Sequence, residues 1–130
     1  MQIRKLDTTQ KSERARFVNF IFDLYKDHPL WVPPFRSEAM KTLDASKHPF
    51  YEHSYADFFV VEEGSQVLGR IAMLENRSFN NFHNTKTAFF GYFEVEIIAQ
   101  HSKCCFLYPR FATQLSSDWC FNYSFAQWLG

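Results

Sequence analysis

Long apolar runs are missing from this chain. Nowhere do eighteen apolar residues stand together, and the opening Met1-Gln-Ile-Arg-Lys-Leu6 carries charge with no apolar stretch behind it. Neither a membrane span nor an export signal is expected on that pattern. Net charge is missing as well, because 14 Lys and Arg stand against 14 Asp and Glu. Such a balance offers no electrostatic case for nucleic acid or an anionic membrane surface, so neither is expected as a partner. Cysteine is scarce: Cys104, Cys105 and Cys120 are the three, with no Cys-x-x-Cys spacing. An odd number without that spacing argues against a disulfide framework or zinc site and makes a reducing cytoplasm the expected location. His28, His48, His53 and His83 match no common ligand spacing, so no metal is expected.

What is present in quantity is aromatic surface, with sixteen Phe in 130 residues. A chain of this length is the size of one domain and has material for one core. Ile3 to Leu6 reads as a short strand, followed by Thr8, Thr9 or Ser12 as helix caps. From Ser12 to Lys26 the apolar residues Phe17, Phe20, Ile21, Leu24 and Tyr25 recur at helical spacing, which predicts an amphipathic helix that stops before Pro29. Asp27 to Phe35 holds three prolines and reads as a rigid extended loop, with Trp31, Val32 and Phe35 pinned to the core. A second short helix is expected from Ser37 to about Leu43, with Glu38 in its first turn where the helix dipole favours a negative charge. His48 and His53 fall in a second proline-punctuated loop and are expected to hydrogen-bond its backbone.

The central stretch, Asp57-Phe-Phe-Val-Val-Glu62 and Gln66-Val-Leu-Gly-Arg-Ile-Ala-Met-Leu-Glu-Asn76 around Glu63-Gly64-Ser65, reads as a β-hairpin. Arg77 to Lys86 reads as a polar connection with two aromatic anchors. Ala88 to Val95 then reads as a strand whose alternation sends Phe89, Gly91, Phe93 and Val95 to one face and Phe90, Tyr92 and Glu94 to the other.

Several of these segments carry a resemblance. Leu24-Tyr-Lys-Asp-His-Pro-Leu-Trp-Val-Pro-Pro34, His48-Pro-Phe-Tyr-Glu-His53, Gly69-Arg-Ile-Ala72, Asn76-Arg77 and Phe89-Phe-Gly-Tyr-Phe-Glu94 occur in this order. The stretch from about Leu6 to Glu96 is similar to larger bacterial proteins related to the acyl-CoA N-acyltransferase (GNAT) superfamily, mostly described as acyltransferase-like or hypothetical. The resemblance implies an α+β fold, the N-terminal half of a GNAT domain in the order β-α-α-β-β-β. It implies transfer of an acyl group from acetyl-CoA or another acyl-CoA to the amine of a small molecule or peptide. Phe93 and Val95 would then hold the acyl-pantetheine arm through backbone groups of the fourth strand. Glu94, with Glu96 as second choice, would be the general base, because an aromatic setting favours the neutral carboxyl and so strengthens a base. The plainer reading is that both are strand-end acids in water.

The chain also departs from that family. CoA pyrophosphate is held there by a glycine-containing loop at a helix N-terminus, where unpaired N–H groups meet the phosphates. Between Gly91 and Gly130 this sequence has no glycine, and from Ile97 onward only Lys103, Arg110 and Asp118 carry formal charge. The expectation is a partial domain over residues 1–96 and a divergent tail over 97–130, out of frame or truncated, with a natural C-terminal region as the alternative. A chain of that kind would be an acyltransferase-like protein not competent for catalysis alone. The rival is a non-catalytic interaction module that self-associates through an exposed sheet edge.

Overall fold

The structure, a computed structural model, describes residues 1–96 and the strand formed by residues 120–123. Its elements run β1 (Gln2–Lys5), α1 (Lys11–Leu24), α2 (Arg36–Thr42), a 3-10 turn (Pro49–Glu52), β2 (Ser54–Glu63), β3 (Gln66–Asn76), α3 (Arg77–His83), β4 (Thr87–Val95) and β5 (Cys120–Tyr123). The sheet order is β1-β2-β3-β4-β5. The first four strands pair antiparallel, and β5 lies parallel to β4 along Thr87–Phe90. The fold is therefore α+β, an open sheet with helices packed on it. The composition break at Ile97 and the expected tail lie outside the described residues, apart from the strand at 120–123. No helix among the described residues is long and apolar enough to cross a membrane.

The β2–β3 hairpin forms where its sequence places it, with Gly64 supplying a positive φ of 60° at the turn. Both its strands are buried over most of their length, because each face carries a core. On one face Phe17 and Val18 of α1 pack with Leu6, Leu43, Phe58, Val60 and Ala72. On the other, Phe59, Val61, Ile71, Met73 and Val95 form a second cluster. Phe17 is fully buried and meets the rings of Phe58 and Tyr92 edge-on at 5.2 and 5.8 Å. Phe17→Ala should lower stability by about 3–5 kcal/mol, readable by urea titration, since the surrounding strands cannot close the cavity.

Several local expectations are corrected. α1 starts at Lys11 after Gln10, which makes no side-chain cap. Asp7 instead accepts hydrogen bonds from the Thr9 amide and hydroxyl, tying the chain before the helix. The second helix begins at Arg36, after Phe35, one residue before the expected start at Ser37. Arg77 to His83 is a helix, capped by Asn76, whose Oδ1 accepts from the Phe79 amide at 3.0 Å, and closed by Asn84 in the left-handed region. Of the three large residues expected to pin the proline loop, Trp31 packs on Phe22 and Tyr25 at 5.5 Å each. Val32 and Phe35, with Leu30, are more than four-fifths exposed.

α1 is fastened to the sheet by charge as well as by apolar contact. Glu62, buried on β2, lies 2.7 Å from both Arg4 of β1 and Arg16 of α1, and Arg4 also reaches Glu13. The Arg4 hydrogen bond first, with Arg16 adding to it, holds the Glu62 carboxyl below the usual range. The Ser46 hydroxyl first, then Arg14 and Lys47, do the same for Asp44. A carboxylate whose folded pKa is depressed contributes stability above its unfolded pKa and loses it as pH falls through the folded value. Melting temperature should therefore drop as pH falls from about 5 towards 2, and Glu62→Gln should flatten that slope. An unchanged slope in the variant would exclude Glu62 as a source.

Candidate functional site

β4 is the strand on which the sequence places Phe93, Glu94 and Val95, and it is interrupted. Arg70 pairs with Glu94 and Ala72 with Gly91, so Ile71 of β3 alone faces both Tyr92 and Phe93. This is a β-bulge, with Tyr92 as a non-glycine residue at φ 53°. An L-residue held there costs of order 1–2 kcal/mol, and such positions cluster at ligand clamps and active sites. Strict alternation fails as a result. Phe90, Phe93 and Val95 pack on one face with Ile71 and Met73, while Tyr92 turns to the α1 face beside Phe17. Glu94 follows on that α1 face, opposite Arg70. The bulge thus adds Tyr92 to the face that Gly91 and Glu94 already share.

Glu94 is therefore not alone among rings. Its Oε2 accepts from Nε of Arg70 at 2.5 Å, and Nη1 of the same guanidinium donates to the Phe17 carbonyl at 2.9 Å. The Arg70 side chain is 4% exposed, against 18% for Glu94. Its guanidinium carbon sits 4.7 Å from the Phe17 ring centre and 5.2 Å from that of Tyr92. Burial pulls the Arg70 pKa down, opposed by Glu94. Burial pushes the Tyr92 phenol up, and it also raises Tyr25, to which the Glu94 charge adds. Both phenols thus remain protonated donors at neutral pH, beside one cation and one anion that compensate each other. Gly69 has its own reason on this strand: a Cβ there would meet the Glu94 carbonyl at 3.2 Å and Val95 Cγ2 at 3.4 Å. The glycine lets β4 come close where the candidate site begins.

Sequence reasoning quoted Arg70 within Gly69-Arg-Ile-Ala72 but gave it no role. The signal was available, since a lone arginine inside an apolar strand buried on both faces has to find a partner. Phe93 and Val95 turn their side chains into the second core. Glu96 stands apart from Glu94, accepting from Gln66 Nε2 at 3.2 Å. It borders a cleft of about 740 Å³ between α1 and the hairpin turn, lined also by Arg16, Asn19, Asp23 and Lys26. His48 accepts from the Phe50 amide as expected, whereas His53 is exposed beside Glu52. Among the described residues no group of three or more His, Cys, Asp or Glu is placed to hold a metal.

Comparison with known proteins adds one relative. Over 81 residues, 62% of this chain, the sequence is 30% identical to Protein YghO of Escherichia coli strain K12. The match covers 20% of that protein, so the chain spans about a fifth of the length of the curated relative it matches. No family model and no solved structure matches the chain.

The buried guanidinium gives the site an asymmetric energetic signature. Removing Glu94 strands a charge with almost no access to water, whereas replacing both partners with apolar groups removes the need for compensation. Glu94→Ala should cost about 3 kcal/mol in a urea titration, and the double variant R70M/E94L should recover most of that loss. A double variant less stable than Glu94→Ala would contradict this reading of the pair.

Proposed function

We propose that the chain is an acyl-CoA N-acyltransferase-like protein, with Glu94 as general base and the backbone of Phe93 and Val95 receiving the acyl-pantetheine arm of acetyl-CoA or another acyl-CoA. The observation that carries this reading is the bulge of β4 at Tyr92-Phe93, beside a strand parallel to β4. Such a bulge unpairs backbone groups locally and re-aims side chains, which suits a strand that must hydrogen-bond a ligand rather than a neighbouring strand. The reaction needs three things from the chain: a seat for the thioester, a carboxylate to take the proton from the attacking amine, and exclusion of water. Glu94 is partly buried, charge-compensated by Arg70 and on the face that Tyr92 shares, which suits the second.

The sequence supplies no glycine loop for CoA pyrophosphate, and the proposal therefore includes a specific handicap. The arm is held and the nucleotide is not, so the chain does not turn over by itself. The expected result is that acetyl-CoA and S-acetylpantetheine, which lacks the nucleotide, raise the melting temperature equally, because ligands binding only the folded state stabilise by mass action. Protection by acetyl-CoA far beyond that by S-acetylpantetheine would reveal a phosphate site and overturn the handicap. No protection by either would overturn the acyltransferase reading.

One observation favours a second reading. Leu30, Val32 and Phe35 are 83–85% exposed on a loop stiffened by prolines, and clustered apolar exposure of this kind marks protein-interaction surfaces. A non-catalytic, self-associating module would show concentration-dependent mass in sedimentation, abolished by V32S/F35S and indifferent to either thioester.

A further inference from the structure

We propose that Arg70 is a positioning residue: its Nε holds Oε2 of Glu94 so that Oε1 is presented, in one orientation, to the N–H of a ligand ammonium group. This rests on the acyl-transfer reading only for the identity of that ligand as the acceptor amine; the positioning itself follows from the geometry. Arg70 is fixed from three sides. Its Nη1 donates to the Phe17 carbonyl of α1, its central carbon lies 4.7 and 5.2 Å from the ring centres of Phe17 and Tyr92, and its Nε meets Glu94. A guanidinium held by a helix carbonyl, two rings and a carboxylate has little rotational freedom, and its planar donors impose direction on the carboxylate.

Among the described residues only one of the two carboxylate oxygens accepts a hydrogen bond. Oε1 of Glu94 accepts none among them, and the Glu94 side chain is 18% exposed. A carboxylate offers about four lone-pair sites, and the Arg70 bond occupies one of them. The bulge puts Tyr92 on the same face, and the Tyr25 phenol lies within electrostatic reach of Glu94. Aromatic faces beside a fixed carboxylate suit a cation that also donates hydrogen bonds. The chemistry that fits is a primary or secondary ammonium. A quaternary one has the charge without the N–H.

The test is an NMR titration of the full chain with n-butylammonium chloride, and with tetramethylammonium chloride as the control lacking N–H donors. Butylammonium should shift the Glu94 amide and the Arg70 Nε–H resonance, and tetramethylammonium should leave them in place. Glu94→Gln should abolish the response. Glu94→Asp, which keeps the charge and withdraws both oxygens by one methylene, should weaken it. Loss of one charged hydrogen bond predicts that Arg70→Lys binds butylammonium about tenfold more weakly while melting as a folded protein. Arg70→Met should not respond at all; if it fails to fold, Arg70→Lys decides. An unresponsive wild type, an equal response to tetramethylammonium, or Arg70→Lys binding as the wild type does would each overturn the proposal. A butylammonium response without protection by either acyl thioester would leave the positioning intact and remove the acyl-transfer reading.

Discussion

The structure depends on how one positive charge is kept inside the domain. Arg70 sits in the middle of β3, a strand with a core on each face, and a guanidinium there is tolerated only when its donors are met. Meeting them draws in the Phe17 carbonyl from α1, Glu94 from β4, and the rings of Phe17 and Tyr92. A single residue thus ties α1, β3 and β4 together beside the bulge. Replacing the pair by apolar side chains would be compatible with a packed core, so stability alone gives weak reason to have it. A site that needs an oriented carboxylate gives a stronger one.

β4 couples packing to chemistry through an extra residue. Were it regular, Gly91, Phe93 and Val95 would share one face, and the second core would lose two of its members to the α1 side. The bulge absorbs Tyr92 at positive φ, so that Phe93 and Val95 still reach the core of Ile71 and Met73 while Tyr92 joins Glu94 under α1. The local strain is offset by burial on both faces. Close approach of β4 at Gly69 completes the arrangement, since any side chain there would push against the backbone of Glu94 and Val95.

Much of the scaffold was legible in the sequence because it follows period and turn chemistry. The helical spacing of Phe17, Phe20 and Ile21, the apolar arms around Gly64 and the halt before Pro29 each follow from local stereochemistry, and each has its element. The misses have physical causes. The helix at Arg77–His83 lacks an apolar stripe and depends on an Asn76 cap and on Phe79 against Phe89, a contact made only by the fold. The faces of β4 were misread because nothing in Gly-Tyr-Phe announces a bulge, although a glycine inside a strand is a warning of one. Size alone points Val32 and Phe35 to the core, and size does not decide burial. At the candidate site, strand position and resemblance single out Glu94, whereas they give its partner Arg70 no role, because the two lie 24 residues apart and meet only through strand pairing.

The most direct measurement is hydrogen exchange on the full chain, with and without acetyl-CoA, read at Tyr92, Phe93, Glu94, Val95 and Glu96 against the β1–β2 pair as internal reference. Slower exchange is expected at the bulge and the residues after it, with β1 and β2 unchanged. Exchange at those five residues unaffected by saturating acetyl-CoA would contradict the acyl-transfer reading.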